Sequence, residues 1–290
     1  PATIRSGPAP SSPQITAVYI ASMTAAWGSV SSASGYSLEA SSTNFTTGVV
    51  VSSVTPDGGA TTLSFNAGDL APNTTYWVKV GSLWNGATSY AYANPGSTST
   101  LTDLINPQVF SVSSNTITAN WPAFAEGSGA LTAVGYRFEA YNDAGFASLA
   151  GSSVSYTATP STLTISSLTP YSTYYLRAGA INWNGVTNWV TFGSTLTSMG
   201  ASPDPAVIAS VYQTSITVAY ATVGGANGYV VEASSTDFVS GAVLSSATLS
   251  GSLSVLTVES LSPNTTYWVK VGSLWNGATN FVFTTPSSTS

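Results

Sequence analysis

Few residues in this chain are equipped for chemistry. It carries eleven Asp and Glu, five Lys and Arg, and no His or Cys. Without imidazole or thiol, no Ser/His/Asp or Cys/His relay can form, and a zinc centre lacks its usual ligands. No Gly-rich phosphate loop is present. A two-carboxylate hydrolase needs two close acids in one cleft, yet the acids are scattered and no Asp-x-Asp cluster occurs. Glu39, Glu139 and Glu232 recur once per repeat, each matched with a cation at Lys79, Arg177 or Lys270. That is the pattern of a surface ion pair, and it accounts for three of the five basic residues. Asp103 and Asp204 lie near the joints between repeats, where an oxygen-lined calcium site is the one metal reading open. No catalytic residue, cofactor site or metal ligand is assigned.

Aromatic residues form the second recurrent group. Trp77, Tyr175 and Trp268 each stand two residues before a cation. Either they pack against the cation's stem or a neighbouring strand, or they form a strip for another module, another subunit or a glycan. Trp84, Trp183 and Trp275 each stand beside an Asn-Gly pair. They either fold over the turn as a lid on the core or stand exposed at its tip.

These residues belong to one recurring stretch. LAPNTTYWVKVGSLWNGAT at 70–88 returns as LTPYSTYYLRAGAINWNGVT at 168–187 and as LSPNTTYWVKVGSLWNGAT at 261–279. Pro72 and Pro170 are 98 residues apart, and Pro170 and Pro263 are 93 apart. That period is too long for a solenoid and suits a small independent β-domain. Within the stretch, side chains alternate with period two and are β-branched or aromatic, which predicts a strand. Asn85-Gly86, Asn184-Gly185 and Asn276-Gly277 predict tight hairpin turns with positive-φ pairs.

The pattern Leu-x-Pro-x-x-Thr-Tyr-x-Val-x-Val resembles the last corner and penultimate strand of a fibronectin type III domain. The resemblance implies that Tyr76, Tyr174 and Tyr267 are corner tyrosines, whose hydroxyls bond back to the backbone a few residues upstream. The middle copy departs from the pattern, with Leu176 and Ala178 where the others have Val. The fold expected is all-β: three tandem fibronectin type III-like, immunoglobulin-like β-sandwiches. The resemblance also implies that the Glu and its matched cation face outward on neighbouring strands of one sheet. Met23, Ala25 and Trp27, with Ile117, Ala119 and Trp121 and then Ile216, Val218 and Tyr220, alternate as a core-facing strand. Tyr220 replaces the core Trp and needs a partner for its hydroxyl. GYSLEA, GYRFEA and GYVVEA follow, the middle one after an insertion of six residues.

The expected domains are 13–101, 102–198 and 199–290, after a Pro- and Ser-rich linker at 1–12. The joints are short, so the modules sit end to end with limited freedom. PNTTYWVKVGSLWNGAT is identical at 72–88 and 263–279, while the middle copy differs. The expectation is a parent protein that alternates two module types, of which this chain is one segment. Asn44, Asn73 and Asn264 stand in Asn-x-Thr sequons, and Asn73 and Asn264 also suit the corner turn.

Charged residues make up 6% of the chain, and its net charge is −6. No basic run is present, which argues against a nucleic-acid partner. No apolar window reaches the ~20 residues of a membrane helix, so no membrane insertion is expected. The composition resembles secreted bacterial repeat proteins, so an extracellular or cell-surface location is expected. Few charges weaken like-charge repulsion and favour lateral association. The expected role is therefore non-enzymatic and structural: a stalk, sheath, adhesive fibre or filament assembled from neighbouring copies. The alternative is a glycan- or surface-binding array accessory to a larger secreted protein.

Overall fold

The computed structural model describes residues 7–290. Three modules of seven strands each follow one another. The first holds β1 (Ser11–Val18), β2 (Met23–Gly28), β3 (Tyr36–Ser41), β4 (Val51–Thr55), β5 (Thr62–Ser64), β6 (Thr75–Trp84) and β7 (Ala87–Ser99). The second holds β8 (Gln108–Val112), β9 (Ile117–Asn120), β10 (Gly135–Tyr141), β11 (Leu149–Ser155), β12 (Thr162–Ile165), β13 (Thr173–Ile181) and β14 (Thr187–Leu196). The third holds β15 (Ala206–Tyr212), β16 (Ser215–Tyr220), β17 (Gly228–Ser234), β18 (Val243–Thr248), β19 (Val255–Val258), β20 (Tyr267–Trp275) and β21 (Ala278–Thr289).

In module 1 a three-stranded sheet, β1-β2-β5, faces a four-stranded sheet, β4-β3-β6-β7. Module 2 repeats this as β8-β9-β12 and β11-β10-β13-β14. In module 3 a single parallel pairing, Val207 with Thr285, joins β15 to β21, so both sheets connect along one edge. This division of seven strands into three and four is that of a fibronectin type III-like sandwich. The fold is all-β, with three such sandwiches in tandem.

Each sandwich closes on its own core. On β2, Met23, Ala25 and Trp27 are buried and the residues between them are half-buried, as period two requires. They meet Tyr36, Leu38 and Ala40 of β3 and Val78 and Val80 of β6 in one cluster. Corresponding clusters form around Trp121 and Phe138 in module 2 and around Tyr220 and Val231 in module 3. Tyr220 fills the place of the core Trp against Tyr229, with ring centroids 4.7 Å apart. Its hydroxyl, however, has no hydrogen-bond partner.

The three corners share one geometry. The amide of Ala71 donates to the Tyr76 hydroxyl at 2.9 Å, Thr169 to Tyr174 at 2.9 Å, and Ser262 to Tyr267 at 3.0 Å. A second tyrosine pins the opposite end of each core, a role not anticipated from sequence. The hydroxyls of Tyr36, Tyr136 and Tyr229 accept from the amides of Val30, Phe124 and Val223 in the loop before their strand.

Two expectations are corrected. Ser11 and Ser12 lie in β1, paired towards Gly28, so the segment is not linker up to residue 12. Residues 1–6 of that proposed linker lie outside the described residues. Among the turns, only Asn276-Gly277 has both residues at positive φ, 34° and 93°. In the other two only Gly86 and Gly185 are left-handed.

Candidate interaction surface

The outer face of each four-stranded sheet carries a closed charge cluster. Cross-strand register sets Glu39 opposite Lys79, Glu139 opposite Arg177, and Glu232 opposite Lys270. The ion-pair distances are 3.2, 2.7 and 3.1 Å. Each cation also lies between aromatic rings. Lys79 Nζ is 4.0 Å from the Phe45 centroid and 4.1 Å from that of Tyr90. Lys270 Nζ is 4.1 Å from Phe238 and 4.2 Å from Phe281. Phe45 and Phe238 reach over the cation because the turn after β3 or β17 holds them at φ 60°.

Module 2 elaborates the cluster. Arg177 Nε donates to Glu139 Oε2 at 2.8 Å, while Nη2 lies 2.7 Å from the same oxygen and donates to the Tyr141 hydroxyl. The Tyr141 hydroxyl donates to the same oxygen at 2.7 Å, and Trp189 stacks on the guanidinium at 4.2 Å. Every carboxylate here is engaged by a cation or a phenol, which makes these clusters supports of the sheet. Among the described residues, no three acids gather into a metal site. Asp103, considered for calcium, accepts the Leu131 amide at 2.7 Å.

The phenols report on this environment. Burial, with Glu39 accepting its proton, pushes Tyr90 up to about 12, and burial beside Tyr229 pushes Tyr220 up to about 12. Both folded values lie above the usual 10.0. The stability these phenols carry is therefore complete below about pH 10 and is lost as pH rises towards 12. Spectrophotometric titration of the folded chain should show a late-ionising group of phenols, diminished in Tyr90→Phe and Tyr220→Phe. Complete ionisation near pH 10 with the fold intact would count against this environment.

The six candidate interaction aromatics do not converge. Trp77, Tyr175 and Trp268 are half-buried on β6, β13 and β20. Trp77 lies in register with Ser41 and Ser97, and Trp268 with Ser234 and Ser288. Trp84 is seven residues further along β6, about 23 Å away at strand rise. The hairpin residues also part company. Trp275 is buried and Trp84 half-buried, whereas Trp183 is 51% exposed. Module 2 has one extra residue in this hairpin, so Asn182 takes the position of Trp84. It is buried, with its Oδ1 accepting from the amides of Asn184 and Val186.

The buried hairpin Trp has a structural task. The Trp275 indole donates to Ser273 Oγ at 2.8 Å, and Ser273 Oγ donates to the Ala201 carbonyl at 2.7 Å. The ring lies close against Gly200, where an added Cβ would stand 2.1 Å from Trp275 Cζ2. Module 1 repeats the arrangement with Trp84, Ser82, Pro8 and Gly7. The segment before the first strand is thus strapped across the hairpin of its own module. Gly200→Ala should cost about 1–2 kcal/mol through overpacking. It should also shift Trp275 fluorescence towards that of a hydrated indole. Unchanged emission and stability would show that the ring is not clamped there.

The modules are also joined to one another. At the first joint, Asn73 is fully buried and its Nδ2 donates to Gly127 O and Thr132 Oγ1, both at 3.0 Å. The Gly129 amide donates to Pro72 O at 3.0 Å. These partners sit in the long β9–β10 loop that carries the six-residue insertion. From the module 2 hairpin, Asn184 Nδ2 reaches Thr98 Oγ1 at 2.7 Å. At the second joint, Asn276 Nδ2 donates to Ser172 Oγ at 2.7 Å and Pro170 O at 3.2 Å. The sequon residue Asn73 is therefore sealed inside a joint, while Asn264 is exposed.

No family profile matches this sequence, and no curated protein does. Among solved structures, it is similar to a two-domain fibronectin type III segment of chicken tenascin. That alignment has 13% identity and a TM-score of 0.47, and covers 62% of this chain and 98% of that one. It is also similar to the FN1–FN3 domains of chicken CNTN1, with 15% identity and a TM-score of 0.30, covering 95% and 98% of the two chains. The assignment to tandem fibronectin type III-like domains stands on the strand order and the three tyrosine corners described above.

Proposed function

We propose that the chain is a non-enzymatic, extracellular structural repeat protein, a building block of a stalk, sheath, adhesive fibre or filament. The observation that carries this reading is the pair of joints. Side chains hydrogen-bond across each joint, Asn73 forward into module 2 and Asn276 back into it, so load passes between sandwiches without a flexible tether. The charge clusters, each neutralised within its own sheet, leave a surface poor in free charge, which eases lateral packing of neighbouring copies. Electron micrographs of the native material should show fibres or a sheath, and scattering from the purified chain should fit a stiff three-bead rod. Dispersed single particles in the native material, with a flexible profile in solution, would overturn the proposal.

A second reading keeps one surface in view. Trp183 and Tyr156, 51% and 71% exposed, flank a pocket of about 230 Å³ that also holds Glu126. Two open rings beside a carboxylate suit a sugar ring, which stacks on the aromatics while its hydroxyls meet the acid. A glycan array should then give hits that Trp183→Ala abolishes. An array without hits removes this reading.

A further inference from the structure

The two residues after the last strand of modules 1 and 2 dock in one way. Thr100 and Leu101 run through a groove at the far pole of module 1. The Thr74 amide donates to Thr100 Oγ1, which donates to Ala71 O, at 3.0 and 2.7 Å. The Thr100 amide donates to Thr74 O, the Asn73 amide to Leu101 O, and the Leu101 amide to Tyr19 O. Thr197 and Ser198 make the same five bonds at the pole of module 2, to Ser172, Thr169, Tyr171 and Ser113. Thr100 and Thr197 are both fully buried there.

Module 3 has the same pole. A groove of about 310 Å³ runs along it, lined by Tyr212, Ser262, Asn264 and Thr265 together with the end of β21. Its corner, Pro263-Asn264-Thr265, matches Pro72-Asn73-Thr74 letter for letter. The backbone matches as well, with φ of 55° at Asn264 and 43° at Asn73. Module 2 cannot offer this pole, because it has Tyr171 where the others have Asn.

We infer that the pole of module 3 is a docking site for a module of the middle type. A Thr-led extended segment would fill the groove, and a long Gly-Ser-Gly loop would cap Asn264. The two occupants already seen separate the roles. A Thr-led segment from either module type fills the groove, as Thr100-Leu101 and Thr197-Ser198 both do. Only the inserted β9–β10 loop reaches the Asn side chain, because the corresponding loop in module 3 is six residues shorter. The pole thus selects by loop length, and alternation of module types is written into its geometry. This inference rests on the reading of the chain as a tandem structural array and names the partner at one end of it.

The test is a fusion in which residues 100–198 follow Ser290. Thr88 to Ser99 and Thr279 to Ser290 are both 11 residues, so the fusion recreates the natural spacing. Hydrogen exchange is read at the amides of Asn264 and Thr265 and at the appended copy of Gly129. The expected result is slowing by about ten-fold relative to an undocked loop, to the level of Asn73, Thr74 and Gly129 at the first joint. Asn264→Ala in the fusion should release the appended Gly129 amide and leave the original one protected. A control fusion carrying residues 197–290 should protect the groove amides and leave the Asn264 side chain uncapped.

The same joint is built independently in a chain of residues 199–290 followed by 100–290. Independent tumbling of the docked module in either chain overturns the inference, as does failure of the middle module to fold behind the module 3 pole. Equal docking by the short-loop control overturns the selectivity. Failure of the array reading shows separately, as native material without fibres.

Discussion

Arg177→Met is expected to destabilise the middle module by about 3 kcal/mol, the low end of the range for breaking a buried ion pair. Glu139 is 7% exposed, and its Oε2 accepts from Arg177 Nε and the Tyr141 hydroxyl, with Arg177 Nη2 2.7 Å away. Removing the guanidinium leaves that carboxylate buried with only a phenol for company. It also strips the ring of Trp189 of the cation it covers, at 4.2 Å. The equivalent changes in the outer modules should be milder. Lys79→Met and Lys270→Met lose a single ammonium contact at 3.2 or 3.1 Å, and the Glu39 and Glu232 side chains they leave are more open to water than that of Glu139. Each should cost about 0.2–1 kcal/mol for the pair, and about 0.5–1 kcal/mol more for the lost cation–π contacts. Hydrogen exchange resolves the three modules within one chain, so β10 and β13 amides should open first in Arg177→Met. The double variant Glu139→Gln/Arg177→Met should recover much of the loss, because no charge is then stranded. Equal destabilisation by all three single changes would show that the burial of Glu139 confers nothing special.

The periodic parts of this molecule were legible in sequence because they follow from local rules. Alternation placed Met23, Ala25 and Trp27 inside, and the same alternation set Glu39 outward opposite Lys79. Each needs only a pleat and a neighbouring strand. What was not legible depends on contacts between distant segments. Nothing near Phe45 in the chain says that its ring will cap Lys79, since the turn that swings it there is left-handed at a non-glycine residue. Equating Trp183 with Trp84 and Trp275 failed because one inserted residue moves Trp183 onto the turn and puts Asn182 in the strap position. A gap-tolerant alignment on Gly86, Gly185 and Gly277 carries that signal. Asn73 read as a turn former, which it is. Its second role, sealing a joint, is invisible until the inserted loop of the next module is set against it. The six residues that the sequence shows only as extra length before Tyr136 are the part that makes the joint.

The paired tyrosines lead to the other large effect. Tyr136→Phe/Tyr174→Phe should cost the middle module about 3 kcal/mol, divided nearly evenly between the two sites. Each hydroxyl removed is the acceptor for one loop amide, Phe124 for Tyr136 and Thr169 for Tyr174. Tyr136 pairs with Ala180, six residues along β13 from Tyr174, so the two positions lie about 20 Å apart along the sheet. At that separation the two losses should add within about 0.5 kcal/mol. The sum arises because the tyrosines hold opposite poles of one sandwich, and each pole meets a neighbour. Tyr174 fixes the corner whose Pro170 and Ser172 receive Asn276 from module 3. Tyr136 fixes the loop that presents Gly127 and Thr132 to Asn73 of module 1. Tyr174→Phe alone should therefore loosen only the second joint, and Tyr136→Phe alone only the first, each read as faster exchange at the amides of that joint. Urea unfolding of the middle module gives the energies, and the exchange map gives the place. Coupled losses, or loosening of both joints by either change, would mean that the module transmits strain from pole to pole instead of anchoring each end separately.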